Sequence, residues 1–123
     1  MVREFRKEDE NEVRAWYEAH GQTYVGHLPE EGWIEPGIAA GFMYKTDGHF
    51  AFIEGMITNP TAPSSDRFEA INEIVKRCHK RAQERGFKQI VALMIKPTLA
   101  QRAVEDHGYQ VVDVVLLLKK DLN

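Results

Sequence analysis

The sequence predicts a single domain, 1–123, of the α/β (α+β) class: a mixed, mostly antiparallel central sheet with helices on both faces. Three observations carry this. Residues 33–58 read as consecutive strands joined by short turns; one long amphipathic helix follows at once; and a strand, a short helix and a last strand come after it. With 123 residues, 43% hydrophobic and 28% charged, the chain has room for one modest core and none for a second domain.

The elements follow in order. "VREFR" reads as a short strand, and "EDENEVRAWYEAHG" as a helix with Val13, Trp16 and Tyr17 at core spacing and Gly21 as its stop. "GQTYVGHLPEEG" has no period and reads as a loop or irregular helix. Then come "WIE", a Pro36-Gly37 turn, "IAAGFMY", a "KTDG" turn and "HFAFIEGMIT". Asp47-Gly48 is a dipeptide that supplies the positive φ angles of a tight hairpin. Strict alternation in the strand at 50–58 puts Phe50, Phe52, Glu54, Met56 and Thr58 on one face, and Ala51, Ile53, Gly55 and Ile57 on the other. Both sets are largely apolar, as expected of a central strand covered on both sides.

The long helix is predicted from about Asp66 to Arg85, with Phe68, Ile71, Val75, Cys78 and Ala82 as its apolar stripe and Gly86 as its end. "QIVALMI" and "VVDVVLLL" are apolar runs of strand length. Between them a helix over Thr98–His107 is expected, with a Thr98 to Gln101 capping box and a closing Gly108. The unit from strand 50–58 through helix 66–85 to strand 89–95 has the length of a parallel crossover. Ligands of such units sit beyond the first strand's carboxyl end, near the helix N-terminus; here that is "NPTAPSSDRF".

Composition narrows the function classes. No apolar run reaches the roughly 18–20 residues of a membrane span, and the N-terminus lacks a secretion signal, so no membrane partner and a cytoplasmic location are expected. A lone Cys78 forms no internal disulfide. The net charge is −3, but residues 1–35 hold nine acids against four bases, while 67–88 carry an excess of positives. A basic helix face steers anions; it is more often a solvated surface, and the acidic total disfavours nucleic acid. The five histidines, His20, His27, His49, His79 and His107, lack the spacing of a metal site, so no metal is expected.

Taken together, "GIAAGF" at 37–42, "FIEGMITNP" at 52–60, "ERGFKQIVAL" at 84–93 and "AVEDHGYQVV" at 103–112 resemble, in order and spacing, the GNAT acetyltransferase superfamily over nearly the whole chain. The resemblance implies an acetyl-CoA site. The pantetheine arm would pair with backbone groups of the strand at 50–58, which maps to Met56, Ile57 and Thr58. The family's pyrophosphate turn, Q/R-x-x-G-x-G/A, aligns with Pro63, Ser64, Ser65, Asp66, Arg67 and Phe68, so Pro63, Asp66 and Phe68 stand at its defining positions and the turn is degenerate. A helix start holds anions through unpaired amides and the helix dipole. Ser64, Ser65 and Arg67 retain hydroxyls and a guanidinium for that task, while an Asp66-x-x-Glu69 cap would satisfy the helix start without any ligand.

Acyl transfer to an amine needs a base for the ammonium proton. Glu54 is the candidate, as the one charge on an apolar strand face; a paired or solvated strand-end carboxylate is its structural alternative. The family's usual acid, a tyrosine in the last helix, falls on Val104. Cys78 lies on the buried helix stripe and reads as a core thiol. Trp16, Tyr17 and Trp33 read as core, or as the lining of an acceptor pocket.

The expected function is an acyl-CoA-dependent N-acyltransferase acting on a small-molecule or protein amine. Its alternative is a catalytically inactive module of the same fold, serving as a structural or interaction protein and similar in texture to small proteins of tailed-phage genomes. A homodimer through the edge after "LLLKKDLN", or another protein partner, is compatible with either.

Overall fold

The computed structural model describes residues 1–22, 28–29, 31–94, 97–116 and 118–122. It divides into two compact units, Met1–Leu93 and Met94–Asn123.

The first unit holds β1 (Arg3–Glu4), a short 3-10 turn (Lys7–Asp9), α1 (Glu10–Ala19), β2 (Gly32–Glu35), β3 (Ala39–Tyr44), β4 (Phe50–Thr58), α2 (Ser64–Glu84) and β5 (Gln89–Ala92). The five strands form one sheet in chain order, antiparallel from β1 to β4 and parallel between β4 and β5. Most of the predicted loop after α1 lies outside the described residues.

One core packs on each face of this sheet. On the α2 side, Trp33, Ala39, Met43, Ala51 and Ile53 meet Ala70, Ile74, Cys78 and Ala82. On the α1 side, Ile34, Ala40, Phe42 and Ile57 meet Val13 and Trp16. Each large side chain buried this way contributes roughly 1.5–3 kcal/mol. The expected stripe of α2 is buried at Val75, Cys78 and Ala82 and packs on the core at Ile71, while Ala70 and Ile74 join it and Phe68 is 38% exposed. Phe68 stands near the start of the helix, ahead of the core, and small Ala70 is the first of its residues to be buried.

Two turns are built differently from each other. At Pro36-Gly37 the expected turn forms, with Gly37 at φ 79° and the Ile38 amide donating to the Glu35 carbonyl at 2.9 Å. The β3–β4 connection, in contrast, contains no positive φ at Asp47 or Gly48. There the Thr46 hydroxyl closes the turn, accepting from the Gly48 amide at 3.1 Å and donating to the Phe50 carbonyl at 2.5 Å. A side-chain hydroxyl has replaced the left-handed residues that the Asp-Gly pair suggested.

Charged side chains tie the edges of this unit. Arg3 donates two bonds to Asp9, at 2.9 and 2.8 Å, and the Arg6 amide donates a third at 2.8 Å. The Arg3 guanidinium holds the Asp9 carboxyl below its ordinary value despite partial burial. Glu31, only 12% exposed, accepts from Arg85 and lies 3.8 Å from Arg81 and 3.9 Å from Lys45. Arg81 also caps the Trp33 ring at 5.3 Å and pairs with Glu4 at 2.8 Å. On the basic face of α2, Arg81 and Arg85 are thus engaged with the chain's own carboxylates, as is Arg77 with Glu73.

The second unit is α3 (Pro97–His107), with Ala103 buried, followed by Gly108 at φ 74°. The helix begins at Pro97, a residue suited to the first helical position, so Thr98 lies inside the helix and is not its cap. Gln101 reaches forward to Glu105 at 3.0 Å, the i to i+4 spacing, which undoes the expected capping box. Residues 111–116 and 118–122 form no strand and are exposed, Val112 by 92% and Val114 by 90%. An apolar run registers a preference for burial; a strand additionally needs a paired edge, which local sequence does not name.

Candidate functional site

The site is built around a fault in the β3–β4 ladder. Ala40 stands opposite Ile57, and Phe42 opposite Glu54. Two steps along β3 therefore match three along β4, so Gly41 faces both Gly55 and Met56: a β-bulge in β4. Gly41 is required, because a Cβ there would collide with the Met56 side chain and stand 2.8 Å from Ile74.

The bulge reverses the faces expected beyond Glu54. Residues directly opposite in an antiparallel pair point to the same side. Phe42 belongs to the α1-side core, so Glu54 points to the α1 side. Met56 packs on the α2-side core and Ile57 on the α1 side. Glu54 and Met56, placed on one face by strict alternation, lie on opposite faces. Glu54 is half-buried.

The backbone of β4 is divided in the same register. The Asn59 amide donates to the Ile38 carbonyl at 2.8 Å, which makes Ile38/Asn59 a hydrogen-bonded pair and, by alternation, Ala40/Ile57 another. The N–H and C=O of Ile57 thus face β3. Ala39/Thr58 is the intervening pair, so the N–H and C=O of Thr58 face the opposite edge. On that edge β5 accompanies β4 only from Phe50 to Ile53, ending at Ala92. Among the described residues no strand pairs with Glu54–Thr58 on this side. The Thr58 carbonyl is nevertheless engaged: His20, the residue that closes α1, places Nε2 2.8 Å from it. A carbonyl only accepts, so Nε2 carries the hydrogen.

Beyond β4 the chain turns at Asn59, whose side chain donates to the Gly37 carbonyl at 2.9 Å and accepts from the Thr61 amide and hydroxyl. Helix α2 starts at Ser64, two residues earlier than expected, with Pro63 as N-cap. Asp66 is therefore not a cap. In the third helical position it would ordinarily reach back to the N-cap amide, and Pro63 has none. Among the described residues no side chain caps this terminus. Arg67 donates through Nη2 to the Ser64 hydroxyl at 3.1 Å, while its Nε is buried and has no partner. Ser64 and Ser65 are exposed. First-turn amides without a side-chain cap and an unsatisfied guanidinium N–H form a donor set, the kind that fits a phosphate.

Asp66 lines a different feature, a hollow of about 400 Å³ shared with Met1, Val2, Glu35, Glu69, Ala70, Glu73 and Arg77. Four of its eight lining residues are carboxylates, Glu35, Asp66, Glu69 and Glu73, which makes it a poor anion site.

Packing accounts for the cysteine and both tryptophans among the remaining candidates. Cys78 is fully buried, and burial, with Glu31 nearby, pushes its thiol up to about 12, which excludes a thiolate nucleophile at neutral pH. Trp16 and Trp33 are core residues. His49 is exposed and meets Gln89 at 3.2 Å. Val104 is 41% exposed in α3, and Tyr109 donates its amide to the Ala103 carbonyl at 3.2 Å. Among the described residues no three His, Cys, Asp or Glu side chains gather as a metal site, and no helix is long and apolar enough to cross a membrane. His20 is the site residue that sequence reasoning missed. Only its place at the end of a helix, before Gly21, sets it apart, and nothing local connects it to Thr58.

No protein-family model matches the chain, and no curated protein matches it. Its fold matches solved structures closely. A transcriptional regulator from Bacillus halodurans is 19% identical, with a TM-score of 0.68 over 98% of this chain and 99% of that one. A putative acetyltransferase from Agrobacterium tumefaciens is 13% identical, with a TM-score of 0.69 over 98% and 99%. The Mycobacterium tuberculosis protein Rv2747, solved in complex with CoA, is 14% identical, with a TM-score of 0.70 over 96% and 76%. The fold of this chain is the GNAT acetyltransferase fold.

Proposed function

We propose that the protein is an acyl-CoA-dependent N-acyltransferase that transfers an acetyl group to an amine. The observation that carries this reading is the open edge of β4 from Glu54 to Thr58, which leads to an α2 N-terminus without a side-chain cap. An extended, amide-bearing ligand pairs with such an edge as a strand does, and its phosphates reach the helix start.

When bound, acetyl-CoA supplies an activated acyl thioester. Thr58 offers the arm its outward backbone groups, and the bulge at Met56 frees backbone beside it. Ile57 anchors this edge from behind: its backbone serves β3 and its side chain is buried. Ser64, Ser65 and Arg67 receive the pyrophosphate, with Arg67 Nε as the unspent donor. Glu54, at the point where β5 stops accompanying β4, takes the proton that the attacking ammonium must lose. Solved proteins of this fold bind CoA, as Rv2747 does, which supports the choice of cofactor.

A second reading, a catalytically inactive interaction module, is favoured by one observation: the exposed apolar residues Val111, Val112, Val114, Val115, Leu116 and Leu118. Isothermal titration with acetyl-CoA separates the two. Micromolar binding supports the enzyme and justifies a screen of amines for turnover; no binding at millimolar cofactor leaves the module.

A further inference from the structure

We propose that His20 occupies the open β4 edge in the free protein, and that the arm of the cofactor displaces it to pair with Thr58. This rests on the acyl-CoA reading above. The outward carbonyl of Thr58 is the acceptor that the arm would use, and His20 Nε2 already holds it at 2.8 Å. A paired strand or strand-like ligand lies about 4.8 Å from its neighbour. An imidazole bonded to the same carbonyl from the open side stands in that space. Ring and arm therefore compete for the same carbonyl and for the space beside it.

The attachment of His20 suits a part that moves alone. It is the C-cap of α1, its amide donating to Trp16 at 3.1 Å, and Gly21 follows at φ 68° with its amide on Glu18 at 2.9 Å. These backbone bonds fix the helix end without using the ring. The imidazole can leave Thr58 by side-chain rotation while α1 stays packed through Val13 and Trp16. Covering an open strand edge also guards it against pairing with other chains. That role alone would not place His20 in competition with a ligand.

The test is titration of CoA into the wild type, His20→Ala and His20→Asn, with the His20 ring followed by ¹⁵N nuclear magnetic resonance. Removing one competing hydrogen bond is worth about 2- to 12-fold in affinity. Both variants are expected to bind CoA more tightly by that factor, and CoA is expected to shift the wild-type Nε2–H resonance away from its bonded position. If the wild type binds CoA and both variants bind it equally or more weakly, the displacement is wrong while the acyl-CoA reading stands. If no form binds at millimolar CoA, the acyl-CoA reading fails and the displacement with it; a bonded Nε2–H signal would then mark His20 as a strut.

Discussion

Phe42 stands directly opposite Glu54 across the β3–β4 ladder, and Phe42 is fully buried in the α1-side core. This pairing fixes the face of the sheet on which Glu54 lies. It also places Glu54 one residue beyond the last β4–β5 pair, Ile53 with Ala92.

Glu54→Gln keeps the shape and removes the base. Under the proposed mechanism it lowers kcat/KM about 10²- to 10⁴-fold, the usual contribution of a positioned base. Acetyl-CoA affinity should stay close to wild type in the same preparation. Steady-state kinetics alongside titration calorimetry checks both, and undiminished turnover would remove Glu54 from the chemistry.

Arg67→Ala deletes the unpartnered Nε donor and the contact to Ser64. A charge-assisted hydrogen bond contributes roughly 1.5–3 kcal/mol, so the Kd for CoA should rise about 10- to 160-fold. Unchanged affinity would mean that the phosphates do not sit at this helix start.

Gly41→Ala tests the bulge. The new methyl meets Met56 and Ile74, and overpacking of this kind costs roughly 1–3 kcal/mol. Urea denaturation should show that loss. Gly37→Ala is an informative comparison, because no atom lies within 4 Å of the new methyl and only the φ of 79° is strained. Its cost should be about 1–2 kcal/mol, from backbone alone.

The Cys78 thiol should not react with a disulfide reagent at pH 8 while the protein is folded, because burial pushes it up to about 12. Labelling should appear only with unfolding in denaturant. Rapid labelling of the native protein would mean that α2 opens from the sheet.

Asp9 and Arg3 set an acid dependence. The Asp9 carboxyl is held below its ordinary value of 3.8, so the folded state favours its ionised form. The pair's stabilisation is fully present above that value and is lost as the pH falls through the lower folded one. Asp9→Asn should lower the denaturation midpoint at neutral pH and flatten its decline in acid. Identical acid profiles for wild type and variant would remove the pair from the stability account.

Much of the fold was legible in local pattern. Apolar spacing located α1 and both of its buried residues, and the strands around Trp33, Ala39–Tyr44 and Phe50–Thr58 follow from apolar runs between turn residues. These features depend on side chains a few residues apart, which sequence records directly. The long helix was found too, but its start shifted to Ser64 because a proline served as N-cap where a polar side chain was expected.

The sequence by itself determined most of the elements and their order, though not the absence of a strand at 111–116, and the residue types able to do chemistry, Glu54, Ser64, Ser65 and Arg67 among them. Tertiary structure alone decided which of them share a face and which bonds are already taken. The extra residue in β4 sends Glu54 and Met56 to opposite sides, and it is visible only in register with β3. The bond from His20 to Thr58 joins residues 38 positions apart. Register and long-range contacts arise from how strands pair and helices dock, and a linear pattern of apolar and polar residues does not encode them.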